Sequence, residues 1–278
     1  MDLDAFHDLL IFIHLGKTAG SSLKMALRPQ FSLPEIFETI RGRHDALGLH
    51  YLEDVEAAFA KDFGDGDAAL KIVFGHLPFG THSIFDKPAR YFTLVRDPVD
   101  RLVSQYYYAH SRDFSRSQEF LRLSLLDYAG GHLSPYTHDG QTRALAGMVC
   151  RQQQSDWTDI DFPSVTETDW AQALRNIDRH FLFVAPHDEV DSAICILARL
   201  FGFSIESVCV PIDNVTANRP LGAISSKVRR VAEEHNVFDQ RLVEHARTTF
   251  RAFTQALPYD LAADVAALRS LRQTRYGM

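Results

Sequence analysis

The sequence predicts an α/β fold: a parallel sheet of four or five strands with helices on both faces, in one domain that covers residues 1–278. Short apolar runs of strand length alternate with longer stretches of helical periodicity, which is the order that builds a parallel sheet. The runs are apolar at successive positions, as expected of strands that are buried on both faces. The chain has 278 residues and no linker rich in proline, glycine and serine, so one large domain accommodates it.

The individual elements follow from the same patterns. The first apolar run, residues 9–13, is the first predicted strand, and a helix is expected near residues 51–63. A second helix should begin at Pro98, because Asp97 is a favourable N-cap and a proline in the first turn gives up no helical hydrogen bond. Apolar residues at helical spacing predict a helical tail over residues 225–275. Three further strands are predicted at residues 70–74, 91–95 and 181–185.

Composition excludes several classes of protein. The net charge is −7, whereas a domain that binds nucleic acid is usually basic. Three cysteines without C-x-x-C spacing argue against a disulfide framework and against a zinc site. The apolar run at residues 9–13 is too short for a membrane span or a signal peptide. We therefore expect a soluble, cytoplasmic protein with no stable membrane insertion, no nucleic-acid partner and no metal.

The segment after the first predicted strand has the composition of an anion site. Gly16 and Gly20 are expected to let the backbone turn tightly, so that successive N–H groups and a helix N-terminus point at one place. Lys17 adds a positive charge. Three hydroxyl side chains add hydrogen-bond donors: Thr18, Ser21 and Ser22. An ordinary strand–helix turn with a surface lysine is the alternative.

Residues 16–18 also match the end of the ATP-binding P-loop pattern G-x-x-x-x-G-K-[ST]. Ile11 occupies the position of the first glycine, inside the predicted strand, so a nucleoside triphosphate would have a shortened cradle. Asp97 is the only nearby acid for magnesium, and its place before Pro98 suits helix capping better. A P-loop-type kinase or NTP-binding enzyme is therefore the secondary hypothesis.

A second polar group follows the strand predicted at residues 91–95. Arg96 leaves the carboxyl end of that strand, where open α/β sheets bind ligands. Ser104 lies two turns along the following helix, and an arginine fork with a hydroxyl suits a phosphate monoester. The structural alternative is an ion pair between Arg96 and a neighbouring aspartate that braces the strand–helix corner.

Together the two segments resemble a known family, the sulfotransferases that use 3′-phosphoadenosine 5′-phosphosulfate (PAPS). Residues 17–22 resemble their 5′-phosphosulfate loop, and the spacing from Arg96 to Ser104 resembles their 3′-phosphate motif. Residues 74–79 favour the carbohydrate branch, which includes heparan sulfate 2-O- and 6-O-sulfotransferases. Weaker similarities continue along most of the chain, at residues 141–143, 214–216 and 219–220 and at Asp239 and Leu242.

The resemblance implies a P-loop-like sulfotransferase architecture with a helical C-terminal part. It implies PAPS as co-substrate, adenosine 3′,5′-bisphosphate as product and no metal. It also implies two catalytic residues, Lys17 at the leaving group and His76 as the general base that takes the proton of the acceptor. The implied donor-binding residues are Lys17, Thr18, Ala19, Gly20, Ser21, Ser22, Arg96, Ser104 and Arg219.

His76 is one of thirteen histidines in the chain. It follows the strand predicted at residues 70–74, and therefore lies at the same edge of the sheet as the two anion-binding segments. Phe74 stands where the similar family has a second histidine, which argues against a mechanism with paired histidines. His14 and His82 are the alternative bases.

The expected function is in-line transfer of the sulfuryl group from PAPS to a hydroxyl of an acceptor, with a carbohydrate favoured. The acidity of the chain favours a neutral or weakly acidic glycan over a highly sulfated one. A non-catalytic nucleotide-binding module is a further alternative.

One of the three tyrosines at residues 106–108 is available to stack on a sugar or on adenine. Two basic clusters either line an acceptor cleft or are solvated surface: Arg28, Arg41, Arg43 and His44, and Arg112, Arg116 and Arg122.

Overall fold

The centre of the molecule is a parallel sheet. Within the described residues its strands are Leu9–Ile13 (β1), Ile36–Glu38 (β2), Ile72–Gly75 (β3), Ala89–Val95 (β4) and Phe181–Pro186 (β5). Their order across the sheet is β2-β3-β1-β4-β5, and every neighbouring pair is parallel. The structure is a computed structural model, and it describes residues 7–39, 48–64, 66–111, 122–131, 135–149, 162–211 and 224–277.

Helices cover both faces of the sheet, so the predicted fold class is confirmed. The α-helices in the described parts of the chain are Gly20–Leu27 (α1), Leu52–Phe63 (α2), Pro98–Ser111 (α3), Leu125–Gly130 (α4), Gly140–Ala146 (α5), Glu167–His180 (α6), Val190–Phe201 (α7), Ser226–Glu234 (α8), Val237–Gln255 (α9) and Leu261–Tyr276 (α10).

All the predicted strands are present, with small differences at their ends. β3 begins at Ile72 rather than at residue 70, because the amide of Leu70 donates to the carbonyl oxygen of Asp67 (2.9 Å) and so closes the preceding turn. β4 begins two residues earlier than predicted, at Ala89. β2 was not predicted, because three residues at the edge of a sheet are too few for a periodic pattern to emerge.

The predicted helical tail is present and consists of three helices. Asn236 separates α8 from α9, and its side-chain Nδ2 donates to the carbonyl oxygen of Ala232 (2.8 Å). Asp260 begins α10 by accepting a hydrogen bond from the amide of Ala263 (3.1 Å). The predicted cap of α3 is confirmed, since Oδ1 of Asp97 accepts from the amide nitrogen three residues later (2.9 Å).

β1 is buried on both sides, which explains its unbroken apolar sequence. Leu9, Ile11 and Ile13 pack on one face of the sheet with residues of α2 and α6. Leu10 and Phe12 pack on the other face with residues of α1 and α7. All five side chains are fully buried, and burial of each contributes about 1.5–3 kcal/mol.

The carboxyl end of β1 lies between those of β3 and β4, and it holds the loop of residues 14–19 in place. The amide of His14 donates to the carbonyl oxygen of Gly75 (2.9 Å), and Oγ1 of Thr93 donates to the carbonyl oxygen of Ile13 (2.7 Å). The chain continues to β2 and β3 on one side of β1 and to β4 and β5 on the other. Ligands of open α/β sheets bind at such a reversal of strand order.

Candidate functional site

The loop between β1 and α1 holds two non-glycine residues in the left-handed region. Lys17 has a φ of 68° and Ala19 has a φ of 69°, and each costs about 1–2 kcal/mol relative to right-handed backbone. Among the described residues, none accepts a hydrogen bond from the amides of Ala19, Gly20 or Ser21. Backbone N–H groups in such a loop, at the N-terminus of a helix, form a concave site for an anion.

The two glycines of the loop are required by close contacts and not by their backbone angles. A Cβ on Gly20 would lie 2.3 Å from Cδ2 of His14, and a Cβ on Gly16 would lie 2.0 Å from the hydroxyl oxygen of Tyr136. Neither glycine has a positive φ. Gly16 lies in a turn, as expected, but Lys17 and Ala19 adopt the left-handed backbone of this loop instead of the two glycines.

The hydroxyl groups predicted for this loop differ in their surroundings. Thr18 is fully buried, and its Oγ1 donates to the carbonyl oxygen of Leu15 (2.8 Å), so this hydroxyl closes the loop on itself. Ser22 is buried in the first turn of α1. Ser21 is half-buried and lines a cavity beside the loop.

Arg96 joins the two anion-binding segments. It follows β4, and its Nη1 lies 3.2 Å from the carbonyl oxygen of Lys17. Its own backbone is held by the side chain of Gln141, which accepts from the amide (2.9 Å) and donates to the carbonyl oxygen (2.8 Å). The structure therefore places the guanidinium of the second segment directly against the backbone of the first.

One face of α3 lies along the same loop. Nε of Arg101 lies 3.3 Å from the carbonyl oxygen of Gly16, and Nζ of Lys17 lies 3.9 Å from the ring centroid of Tyr108. Ser104 is buried on the face that these two residues share, since residues three and four apart are neighbours on a helix. Sequence reasoning did not assign Arg101 to the site, although this spacing would have placed it there.

A cavity of about 600 Å³ opens at the carboxyl ends of β1, β2 and β3. His76 lines it, and Nδ1 of His76 lies 2.7 Å from the carbonyl oxygen of His14. A carbonyl oxygen only accepts, so Nδ1 carries the hydrogen and the lone pair of the neutral ring is on Nε2. Lys17 and Arg96 are not among the residues that line this cavity. Ser21 does line it, and Ser21 lies in the first turn of α1, directly after the loop that contains Lys17.

The two alternative histidines are in different positions. His14 stacks on His76 with ring centroids 4.5 Å apart, and desolvation, followed by the charges of His76, Lys24 and Lys17, lowers the pKa of His14 to about 3. A ring with so low a pKa is a weak base. His82 lies outside the cavity, with Nδ1 2.9 Å from the hydroxyl oxygen of Tyr91.

Charged side chains in α1, directly after it and in β2 form the rim of the cavity. Nζ of Lys24 is hydrogen-bonded to Oε1 of Glu38, and Nε of Arg28 lies 3.9 Å from Oε2 of the same carboxylate.

The described residues contain no cluster of three metal-ligating side chains. Arg122 is exposed. Several residues singled out from the sequence lie outside the described residues: Arg41, Arg43, His44, Arg112, Arg116, residues 214–216, Arg219 and Pro220.

The family model for galactose-3-O-sulfotransferase matches residues 10–276. No curated protein matches the chain. Enzymes of this family reside in the Golgi membrane, so the expectation of a cytoplasmic protein is wrong. In the parts of the chain that the structure describes, no helix is both long and apolar enough to cross a membrane.

The match includes both anion-binding segments, the cavity and the helices that follow β5, as far as the end of α10. The resemblance to the carbohydrate branch of the sulfotransferases is therefore confirmed. The chain belongs to the galactose-3-O-sulfotransferase family, a family of PAPS-dependent carbohydrate sulfotransferases.

Proposed function

We propose that the protein transfers a sulfuryl group from PAPS to a hydroxyl group of a glycan. The observation that carries the proposal is the 3.2 Å contact between Nη1 of Arg96 and the carbonyl oxygen of Lys17. A cation in each of two adjoining segments suits a donor with two phosphate groups, because each segment can bind one of them. A cavity lined by Ser21 and His76 adjoins the first segment and would admit the acceptor.

The residues present fit such a donor. The amides of residues 19–21 and the ammonium of Lys17 would hold the 5′-phosphosulfate. Arg96 and Ser104 would hold the 3′-phosphate, and we propose that Arg219 adds to this second group. The loop amides and the positive end of the α1 dipole already favour an anion, so little reorganisation is required on binding.

In the proposed reaction, Nε2 of His76 accepts the proton of the acceptor hydroxyl while the oxygen of that hydroxyl attacks sulfur. The new O–S bond forms on the side opposite the S–O bond to the 5′-phosphate, which breaks. Lys17 and the loop amides stabilise the negative charge that develops on the released oxygen, as an oxyanion hole does. The hydrogen bond from Nδ1 to the carbonyl oxygen of His14 (2.7 Å) holds the ring and stabilises the resulting imidazolium.

The cavity also suggests the class of acceptor. Its volume of about 600 Å³ lies within the usual range for small-molecule sites. Glu38 offsets part of the charge of Lys24 and Arg28, so the rim is weakly positive and suits a neutral or weakly acidic sugar. The name of the family adds galactose and its 3-hydroxyl as the proposed acceptor position.

The full chain provides a direct test by thermal unfolding with two nucleotides. Adenosine 3′,5′-bisphosphate should raise the Tm, because a ligand that binds only the folded state stabilises it, and ATP with magnesium should not. Labelled sulfate from PAPS should then appear in galactosides. Stabilisation by ATP with magnesium alone would favour a kinase. Stabilisation by the bisphosphate without transfer to any glycan would favour a non-catalytic module.

A further inference from the structure

We infer that Asp239 is a positioning residue for Arg96 and acts through the side chain of Gln141; this inference rests on the proposed donor site. Arg96 is the first residue after β4, where the strand ladder ends. Oε1 of Gln141 accepts from the N–H of Arg96 (2.9 Å), and Nε2 donates to the carbonyl oxygen of Arg96 (2.8 Å). These two hydrogen bonds take the place of a neighbouring strand and fix the backbone from which the guanidinium extends.

Asp239 adds a second constraint to the orientation of the Gln141 amide, which the N–H and carbonyl groups of Arg96 also require. Oδ2 of Asp239 accepts from the backbone N and from Nε2 of Gln141, both at 3.1 Å. Because a carboxylate only accepts hydrogen bonds, the NH₂ group must face Asp239 and Oε1 must face the N–H of Arg96. With the amide reversed, oxygen would face oxygen at Asp239 and two donors would meet at the N–H of Arg96.

The surroundings of this carboxylate favour positioning over general stabilisation. Asp239 is fully buried. Its four hydrogen bonds from described residues come from uncharged donors, two on Gln141 and two on Thr142 (2.7 and 2.9 Å). A buried carboxylate without a cation carries a large desolvation penalty. The carboxylate of Asp239 instead helps to fix the backbone of Arg96, which is proposed to bind phosphate.

The start of α9 is attached to the same segment by further hydrogen bonds. The amide of Asp239 donates to Oδ1 of Asp139 (2.8 Å), and the amide of Asp139 donates to Oδ1 of Asn236 (2.9 Å). Nδ2 of Asn236 donates to the carbonyl oxygen of Thr137 (2.7 Å). Hydrogen bonds therefore connect the start of α9 to the segment that holds Arg96.

The test compares two nucleotides that differ only in the 3′-phosphate. Asp239→Asn and Gln141→Met should each raise the Kd for adenosine 3′,5′-bisphosphate about tenfold or more, and leave the Kd for adenosine 5′-monophosphate within about twofold. In the transfer reaction the KM for PAPS should rise while kcat at saturating donor stays the same. Gln141→Met keeps the inference testable if Asp239→Asn does not fold. Unchanged affinity for the bisphosphate, or equal weakening of both nucleotides, would overturn the inference.

Two further variants separate this inference from the proposed function. Arg96→Ala should lose the same preference for the bisphosphate, and adding Asp239→Asn to it should cause no further loss. If Arg96→Ala keeps full affinity for the bisphosphate, the proposed donor site fails. If Arg96→Ala weakens binding and Asp239→Asn does not, only the positioning role fails. Asp264→Asn is the matched control, because Asp264 is a largely buried carboxylate that pairs with Arg199 (2.7 Å) on α7, and it should leave both nucleotide affinities unchanged.

Discussion

His76 and His14 form a stacked pair in which the two rings have different roles. Burial holds the pKa of His14 at about 3, so His14 is neutral throughout the physiological range. When His76 accepts a proton, its partner therefore adds no second positive charge. The carbonyl oxygen of His14 accepts from Nδ1 of His76 (2.7 Å), so the same residue also fixes the tautomer of the proposed base.

Replacing His76 by alanine should lower kcat about 10²- to 10⁴-fold, since general-base catalysis contributes roughly that factor. The Kd for adenosine 3′,5′-bisphosphate should not change, because His76 lines the cavity and not the nucleotide loop. Steady-state kinetics and calorimetric titration measure the two quantities. His82→Ala is the control, as His82 lies outside the cavity. A wild-type kcat in His76→Ala would exclude His76 as the base.

The sequence predicts candidate residues for this site, but not the side chains that they contact. Lys17 and Arg96 stand in linear motifs whose spacing is readable in one dimension. Phe74 in β3 occupies the position of the second histidine of the family, whereas the ring that stacks on His76 is that of His14, the residue after β1. Such a contact depends on the register of two parallel strands, and no local pattern encodes that register.

Among the elements, the loop between β1 and α1 has a strained backbone and is also part of the proposed donor site. Two of its residues, Lys17 and Ala19, have a positive φ without being glycine. Strain of this kind persists only where the surrounding structure imposes it, and it is common at ligand sites. In this loop His14 packs closely against Gly20, and Tyr136 packs closely against Gly16.

Replacing Ala19 by glycine should raise the free energy of unfolding by about 1 kcal/mol, because glycine adopts a positive φ without the steric cost that alanine pays. Urea denaturation measures the change. Ala26→Gly in the helix that follows this loop is the control; Ala26 is fully buried in α1, and its replacement should lower the free energy of unfolding by about 1 kcal/mol or more. Destabilisation by both variants alike would mean that the backbone at residue 19 is not strained.

At the scale of the whole molecule, side-chain contacts between distant segments attach the C-terminal helices to the sheet edge. Gln141 and Asp239 are 98 residues apart and share a hydrogen bond. Asp191 on α7 pairs with Arg272 on α10 (2.8 Å). Helical periodicity predicts that the C-terminal segments are helices, as they are, but it carries no information about which buried polar side chain meets which. For that reason Gln141 and Asp239 emerged from the sequence only as weak similarities to the family, without a role.

Asp139 lies in this contact region, and its protonation should affect the stability of the entire fold. Burial, and then the negative charge of Asp239, raise the pKa of Asp139 to about 7, although Arg143 and the amides of Phe238 and Asp239 act in the opposite direction. An unfolded chain releases the same proton near pH 4. Between about pH 4 and 7 the folded state therefore holds the extra proton, and the stability contributed by this group falls as the pH rises.

Replacing Asp139 by asparagine should remove this dependence, since asparagine has no proton to release, retains an oxygen that can accept from the amide of Asp239, and tolerates the φ of 50° found here. The free energy of unfolding of the variant minus that of the wild type should increase between about pH 5.5 and 8, as measured by urea denaturation. Glu35→Gln is the control. Hydrogen bonds from Lys71 and Ser32 lower the pKa of Glu35 to about 2. This carboxylate is therefore ionised in folded and unfolded chains across that pH range. The free energy of unfolding of Glu35→Gln minus that of the wild type should therefore stay constant. An equally constant difference for Asp139→Asn would show that the folded protein does not hold the extra proton at Asp139.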